Sequence, residues 1–160
     1  MICDIVPPVM RYLEGCHPQY LLALGADAAA CVSAYRGADA NNMTGMSVAS
    51  AVQTDARYDA AILMGCIEHM DKKAALALIA RLRDAQVKNL LVGAPLGSGL
   101  TGQRSLWTEQ DFLALGMQVY QRLDCAAATM IMCCYNIHDY KQVPDWLNSK
   151  YWAHPERWEI

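Results

Sequence analysis

The chain has 160 residues, of which 54% are hydrophobic and 18% are charged, and its formal net charge is −3. This length and composition predict one domain with a sizeable core, which excludes an intrinsically disordered protein. Because the charge balance is slightly acidic and no basic run is present, we expect neither nucleic acid nor a membrane as a partner.

The first predicted elements are a short helix and a buried strand. Pro7 and Pro8 predict a helix over residues 9–15, since proline is tolerated in the first turn of a helix. The apolar run 20–25 is too short for a helix and has no polar alternation, as in a strand buried on both faces. A helix over residues 28 to about 36 follows, so a tight strand-to-helix turn is expected where ligands bind in open α/β sheets.

The central part of the chain has the clearest pattern, a strand, a helix and a second strand. The apolar run 60–65 predicts a buried strand. Asp71 is a good N-cap for the amphipathic helix that follows over residues 72–86. A second buried run, 89–94, ends at Pro95, where a central strand must stop. Together they form a βαβ unit, which is right-handed and has parallel strands.

The patterns before and after this unit are weaker. Residues 43–48 predict a short strand and residues 49–56 a short helix, although polar residues and a glycine weaken both. After a glycine-rich loop, a short helix over residues 108–115, with Thr108 at its cap, precedes two strands, 117–123 and 129–137. These two strands are predicted to form an antiparallel hairpin at one edge of the sheet.

Together these elements predict a three-layer α/β domain with a mostly parallel sheet over residues 1–137. The remaining segment, 138–160, differs because it carries three of the four tryptophans and has no clean periodicity. Residues this aromatic avoid water. We therefore expect the tail to pack over its own domain or over a partner subunit in a homodimer.

The cysteines and the N-terminus bear on the cellular compartment. The seven cysteines contain no C-x-x-C pair and lie mostly in apolar runs, which predicts reduced, buried thiols. The first ten residues lack the basic start and the long apolar run of a signal peptide. No apolar stretch reaches membrane-spanning length. We expect a cytoplasmic protein.

Polar residues at the predicted carboxyl ends of the strands are the candidate functional residues. Asp27 would either contact a ligand amine or cap the helix that follows. His69 is suited to act as a general base beside Glu68, or His69 packs against the following helix while Glu68 supports the turn. The pair Cys66-x-x-His69 lacks the further ligands of a zinc site and a third group to position a thiolate. We therefore expect no metal.

Several stretches together resemble the class I S-adenosylmethionine-dependent methyltransferases. YLLALGAD (20–27) resembles their first strand and glycine-rich loop, and YDAAILMGCIEHM (58–70) resembles the fourth strand with its Glu-His turn. KNLLVGAP (88–95) is similar to the fifth strand, and TEQDFLALGMQVYQRLD (108–124) to the helix and strand before the closing hairpin. The tail resembles the ending of a small, uncharacterised bacterial group of truncated methyltransferase-like proteins.

This resemblance implies a Rossmann-like methyltransferase fold with S-adenosylmethionine as cofactor. The residues that it implies as cofactor contacts are Gly25, Ala26, Asp27, Cys66 and Ile67. The residues that it implies as catalytic are Glu68 and His69.

Departures from the family pattern concern that cofactor. Several glycines in the family let the backbone approach the cofactor closely, whereas here Gly25 is followed by ADAA. The family also has an acidic residue after its second strand to hold the ribose hydroxyls, and residues 43–52 contain none. The span from Gly25 to Asp59 is too short for two full strand-helix units, which need roughly 50 residues. One βα unit is therefore expected to be shortened.

Two functions remain open from the sequence. The first is a methyltransferase-like protein that is degenerate for S-adenosylmethionine and acts by binding a small molecule or a protein. The alternative is an active methyltransferase on a small-molecule or protein substrate, because methyl transfer needs chiefly the positioning of two reacting groups. Fold alone does not choose between them.

Overall fold

A computed structural model describes residues 4–35, 43–45, 51, 55–97 and 101–140 of the chain. The α-helices of this part are α1 (Val6–Cys16), α2 (Ala26–Ser33), α3 (Lys72–Arg81), α4 (Glu109–Ala114) and α5 (Ile137–Tyr140). The strands are β1 (Leu21–Leu24), β2 (Met43–Gly45), β3 (Tyr58–Met64), β4 (Val87–Pro95), β5 (Gln118–Asp124) and β6 (Thr129–Asn136).

The strands form one six-stranded sheet in the order β2-β1-β3-β4-β6-β5. The pairs β1–β2, β1–β3 and β3–β4 are parallel, and β6 pairs antiparallel with both β4 and β5. This confirms the mostly parallel sheet and the antiparallel hairpin at its edge. Residues 46–57 connect β2 to β3, about the dozen residues that one parallel crossover needs. No further strand-helix unit fits there, which confirms the shortened βα unit.

Two hydrophobic clusters lie on opposite faces of the sheet and make the domain three-layered. The strands supply both clusters because successive side chains alternate: Ile62 and Met64 belong to one, Ala61 and Leu63 to the other. Helices α1 and α2 cover the first face, and α3 and α4 cover the second. This double coverage explains why the strands read as continuous apolar runs.

The helix caps predicted at Asp71 and Thr108 are present. The Asp71 carboxylate accepts hydrogen bonds from the backbone N–H groups of Lys73 (3.1 Å) and Ala74 (3.3 Å). Thr108 and Asp111 form a capping box at the start of α4. Both helices therefore begin where local chemistry predicts.

Some helix boundaries differ from prediction. Helix α1 begins at Val6 rather than residue 9, because both prolines lie in its first turn. Helix α2 begins at Ala26 rather than residue 28, with Gly25 as its N-cap residue and no side-chain cap. The alternative prediction that Asp27 caps this helix is therefore wrong. Beyond α3, residues Leu82–Gln86 form a π-helical turn instead of a last α-helical turn.

The prediction of reduced cysteines holds for five described residues and fails for one. Cys16, Cys31, Cys66, Cys133 and Cys134 are free. Cys125 is bonded in a disulfide, which its place between two predicted strands did not indicate.

Some predictions lie wholly or partly outside the described residues. The predicted helix over 49–56 is described as helical at Ala51, and the predicted strand over 43–48 at Met43–Gly45. The packing of the aromatic tail beyond Tyr140 lies outside the described residues and stays a prediction.

Candidate functional site

The carboxyl ends of β1 and β3 meet at one edge of the sheet and define the candidate site. The connection after β1 leads to β2 on one side, and the connection after β3 leads to β4 on the other, so these two connections leave in opposite directions along the sheet. In open α/β sheets, the crevice at this switch point is where ligands bind. The structure brings together there the two groups of predicted residues, the turn after β1 and the turn after β3.

Gly25, in the turn after β1, meets the neighbouring strand. Its φ is +99°, and a Cβ on it would overlap the carbonyl oxygen of Met64 and lie 2.9 Å from that carbonyl carbon. The backbone of the first turn is thus packed directly on the end of β3. The glycine is required by this contact between two parts of the chain.

Asp27 crosses the crevice from the same turn. Its side chain is exposed, and its Oδ2 lies 2.8 Å from the position that a Cβ on Gly65 would occupy. Gly65 has φ +71° and follows β3 directly. The carboxylate therefore lies over the second turn, and Ala26 beside it is exposed.

The Cys66 thiol is buried and remains protonated near neutral pH. Its Sγ donates to the carbonyl oxygen of Leu24 at 3.7 Å. Burial raises the pKa of this thiol to about 12, and the nearby negative charges of Glu68 and Asp27 add to the shift. A thiol with this pKa is a poor nucleophile and a poor metal ligand at neutral pH.

Ile67 and Glu68 both turn their side chains inward. Ile67 is fully buried in the core, so its backbone is what it offers to the site. The Glu68 side chain is 7% exposed, and its Oε2 has no hydrogen-bond partner within the described residues. A buried carboxylate oxygen without a partner is costly, and such groups are rare in folded proteins.

The His69 imidazole is half-exposed, and one of its ring nitrogens has a fixed role. Nδ1 lies 3.0 Å from the carbonyl oxygen of Gly102. A carbonyl oxygen only accepts, so Nδ1 carries the proton and Nε2 of the neutral ring is left as an acceptor. Nε2 is 4.0 Å from Oε1 of Glu68, which is beyond hydrogen-bond distance.

Residues after β4 hold the second turn in place, and the sequence did not predict their role. Ser105 is buried: its hydroxyl donates to the carbonyl oxygen of Ile67 (2.9 Å) and accepts from Nε1 of Trp107 (3.0 Å). The backbone N–H groups of Arg104 and Ser105 donate to the carbonyl oxygen of Glu68 at 2.8 and 3.1 Å. The one available signal was a tryptophan in an otherwise polar stretch.

Replacing Ser105 with alanine is expected to reduce the free energy of unfolding by about 1–3 kcal/mol. The change leaves the Trp107 indole N–H and the Ile67 carbonyl without the shared hydroxyl, in a place that water does not reach. Urea unfolding monitored by circular dichroism measures the loss. Ser33→Ala is the matched control, since that hydroxyl is exposed and donates locally to Ala30. An equal, small effect of both changes would contradict the structural role of Ser105.

Two further observations bear on the site. The described part of the chain contains no group of three or more His, Cys, Asp or Glu residues that could hold a metal ion. Of the helices within the described ranges, none is long and apolar enough to cross a membrane.

Comparisons with known proteins give a family and a fold. The model of a family described as "Family of unknown function (DUF6231)" matches residues 6–160. No curated protein matches the sequence. Solved structures of methyltransferases do match, including the methyltransferase domain of a bacterial Hen1 (CtHen1-CN). Its TM-score is 0.61 at 13% identity, and the match covers 82% of this chain and 97% of that domain.

Two other solved structures extend this comparison. Magnesium protoporphyrin IX methyltransferase (ChlM) from Synechocystis PCC 6803 has a TM-score of 0.55 at 16% identity, covering 81% of this chain and 80% of its own. 1,6-Didemethyltoxoflavin-N1-methyltransferase from Burkholderia thailandensis has a TM-score of 0.57 at 16% identity, covering 80% and 74%. Both were solved with bound S-adenosylhomocysteine. At these identities the likeness shows the fold, which is the Rossmann-like methyltransferase fold that the sequence predicted.

Proposed function

The chain belongs to the family of unknown function DUF6231, and we propose that it is a methyltransferase-like protein that binds a small molecule or a protein segment without using S-adenosylmethionine. The observation that carries this proposal is the contact of the two turns at the switch point. Gly25 packs on the Met64 carbonyl, and Asp27 lies over Gly65. The chain's own atoms thus occupy space where a cofactor would approach the backbone.

The residues of this edge fit that cofactor poorly. A glycine-rich turn serves a cofactor by leaving open space next to the backbone. Here the space next to Gly25 is filled by the neighbouring strand, and the following residues carry side chains. S-Adenosylmethionine would therefore have to displace the chain's own atoms to reach this backbone.

The polar groups at the edge support binding of another molecule. Glu68 has a buried oxygen without a partner among the described residues, Asp27 has an exposed carboxylate, and His69 has a ring nitrogen left to accept. All three follow β1 or β3 and lie at the same sheet edge. A ligand that donates hydrogen bonds or carries positive charge would pair with the exposed Asp27 carboxylate, and the buried Glu68 carboxylate adds negative charge next to it. Because the edge carries two carboxylates, it is not suited to bind an anion.

An active methyltransferase is the second candidate, and the same carboxylates favour it. S-Adenosylmethionine carries an ammonium and a sulfonium, which Asp27 and Glu68 would attract. His69 Nε2 would then accept a proton from a substrate in the neutral tautomer described above. A homodimer closed by the aromatic tail, and membership of a truncated bacterial group, stay proposals under either function.

Calorimetric titration with S-adenosylmethionine and S-adenosylhomocysteine tests the proposal. We expect no binding heat and no thermal shift even at millimolar ligand, because the cofactor would have to separate two packed turns. Micromolar binding of either compound would overturn the proposal and favour the enzyme. In that case Asp27→Asn should weaken binding by about tenfold, the effect of one charge-assisted hydrogen bond, whereas Asp55→Asn at an exposed remote position should not.

A further inference from the structure

A second concave surface lies at the opposite edge of the sheet, where β3 and β4 begin. We call it the amino-edge groove, and its volume is about 420 Å³, within the range of small-molecule sites. The end of α1 and residues near the starts of β3, β4 and α5 line it. The residues that define it here are His17, Gln19, Asp59, Asn89, Asn136 and His138.

The fixed charges in the groove are already paired. Asp59 Oδ1 accepts from Nζ of Lys88 at 2.8 Å, and its Oδ2 accepts from the backbone N–H groups of Gln19 (3.2 Å) and Tyr20 (3.1 Å). The hydrogen bond from Lys88 lowers the pKa of Asp59, and the backbone hydrogen bonds add to this effect against the opposing effect of burial. The Asp59 carboxylate and the Lys88 ammonium therefore form an ion pair.

The electrostatics of the groove disfavour an ionic ligand of either sign. An anion would face the Asp59 carboxylate and the negative end of the α1 dipole, which Gly15 and Cys16 bring to the groove. A cation would face the ammonium of Lys88. A neutral ligand experiences neither of these repulsions.

Several polar side chains in the groove have unused hydrogen-bonding capacity. The side chains of His17, Gln19 and His138 are exposed and make no hydrogen bond within the described residues. Asn89 uses its Nδ2 to donate to the Asp59 carbonyl (3.1 Å), and its Oδ1 has no partner in the part of the chain that the structure describes. Asn136 uses its Oδ1 to accept from the backbone N–H of His138 (2.8 Å), and its Nδ2 likewise has no partner there.

The backbone at the end of α1 directs one of these side chains. His17 is the residue after α1 and has φ +46°, the one described non-glycine residue with a left-handed backbone. Its N–H donates to the Leu13 carbonyl, which closes the helix. The turn leaves the imidazole at the wall of the groove beside Gln19.

We propose that the amino-edge groove is a binding site for a neutral polyhydroxylated small molecule, a sugar or a polyol. Each hydroxyl group donates and accepts a hydrogen bond, and the free amides and imidazoles of the groove also donate and accept. This pocket is separate from the carboxyl edge, so the inference does not rest on the function proposed there.

Nuclear magnetic resonance of the 15N-labelled chain tests this inference at about pH 8, where ordinary histidines are neutral. The probes are D-ribose, D-glucose and myo-inositol, each titrated to high concentration. We expect at least one probe to cause saturable shifts of the side-chain amide signals of Gln19, Asn89 and Asn136. The phosphorylated probe D-ribose 5-phosphate should bind more weakly than D-ribose.

Variants separate binding in the groove from general sugar effects. Gln19→Ala combined with His138→Ala removes two exposed side chains without touching the core, and should weaken binding by about fivefold to fiftyfold. Gln110→Ala, an exposed amide on α4, should leave binding unchanged. Three results would each overturn the inference: no saturable shift with any neutral probe, the same affinity in the double variant, or tighter binding of the phosphorylated probe.

Discussion

Gly25→Ala is expected to lower the free energy of unfolding by about 3 kcal/mol or more. With φ +99° and ψ +161°, Gly25 has a backbone conformation that residues with a side chain rarely adopt, which alone costs about 1–3 kcal/mol. The added methyl group would also overlap the Met64 carbonyl oxygen, and this neighbour is backbone at the end of a central strand. Because the strand cannot move without losing its pairing, both costs apply. Urea unfolding measures the loss.

Two other glycines provide matched controls for this prediction. Gly15 lies in α1, and nothing lies within 4 Å of the position that an added methyl group would occupy, so Gly15→Ala should stabilise the domain by about 0.5–1 kcal/mol. Gly97 has φ +82° and equally open surroundings, so Gly97→Ala should show the cost of backbone strain without the overlap, about 1 kcal/mol. From the most stable variant to the least stable, the expected order is therefore Gly15→Ala, Gly97→Ala, Gly25→Ala.

A small effect of Gly25→Ala would have a functional meaning. It would show that the turn after β1 moves away from the end of β3 at little cost. The crevice at the switch point would then open for a ligand, and the main argument against S-adenosylmethionine would fail. The stability measurement and the calorimetric titration thus test the same contact in independent ways.

Trp107→Ala is expected to lower the free energy of unfolding by about 3–5 kcal/mol. The indole is fully buried and stacks on Phe112 with ring centroids 5.1 Å apart. Its ring centroid lies 3.8 Å from Nζ of Lys72. It also donates to the Ser105 hydroxyl. Its removal therefore leaves a large cavity and an unsupported hydroxyl between the turn after β3 and helix α4.

Leu106→Ala is the control, because Leu106 precedes the tryptophan and is 56% exposed. The Leu106→Ala substitution should change the free energy of unfolding by less than about 0.5 kcal/mol. Amide hydrogen exchange supplies a local measurement: Trp107→Ala should accelerate exchange of the Arg104 and Ser105 N–H groups, which donate to the Glu68 carbonyl. Unchanged exchange at these two amides would show that the tryptophan does not hold the loop against the site.

The elements with strong local signals were predictable from the sequence. The strands on either side of α3 are continuous apolar runs because helices cover both faces of the sheet, and Asp71 and Thr108 begin their helices through hydrogen bonds made within three residues. Such contacts are encoded locally, so the order of elements and the fold class follow from them.

The start of α2 was predicted incorrectly for a physical reason. An aspartate followed by alanines is a common N-cap pattern, but the backbone of Gly25 turns at once into the helix and frees the Asp27 carboxylate. That turn is fixed by the end of β3, almost forty positions along the chain. No local rule contains this contact.

The sequence by itself determined the layered α/β architecture, the parallel central strands, the closing hairpin and the polar residues at the carboxyl ends of β1 and β3. The tertiary structure alone decided what those residues face: Gly25 a neighbouring carbonyl, Asp27 a glycine across the crevice, Glu68 the interior. It also formed the amino-edge groove from residues scattered between positions 15 and 138. The difference is physical, since periodicity and caps act within a few residues, whereas the surroundings of a side chain depend on strands that are distant in the chain and adjacent in the sheet.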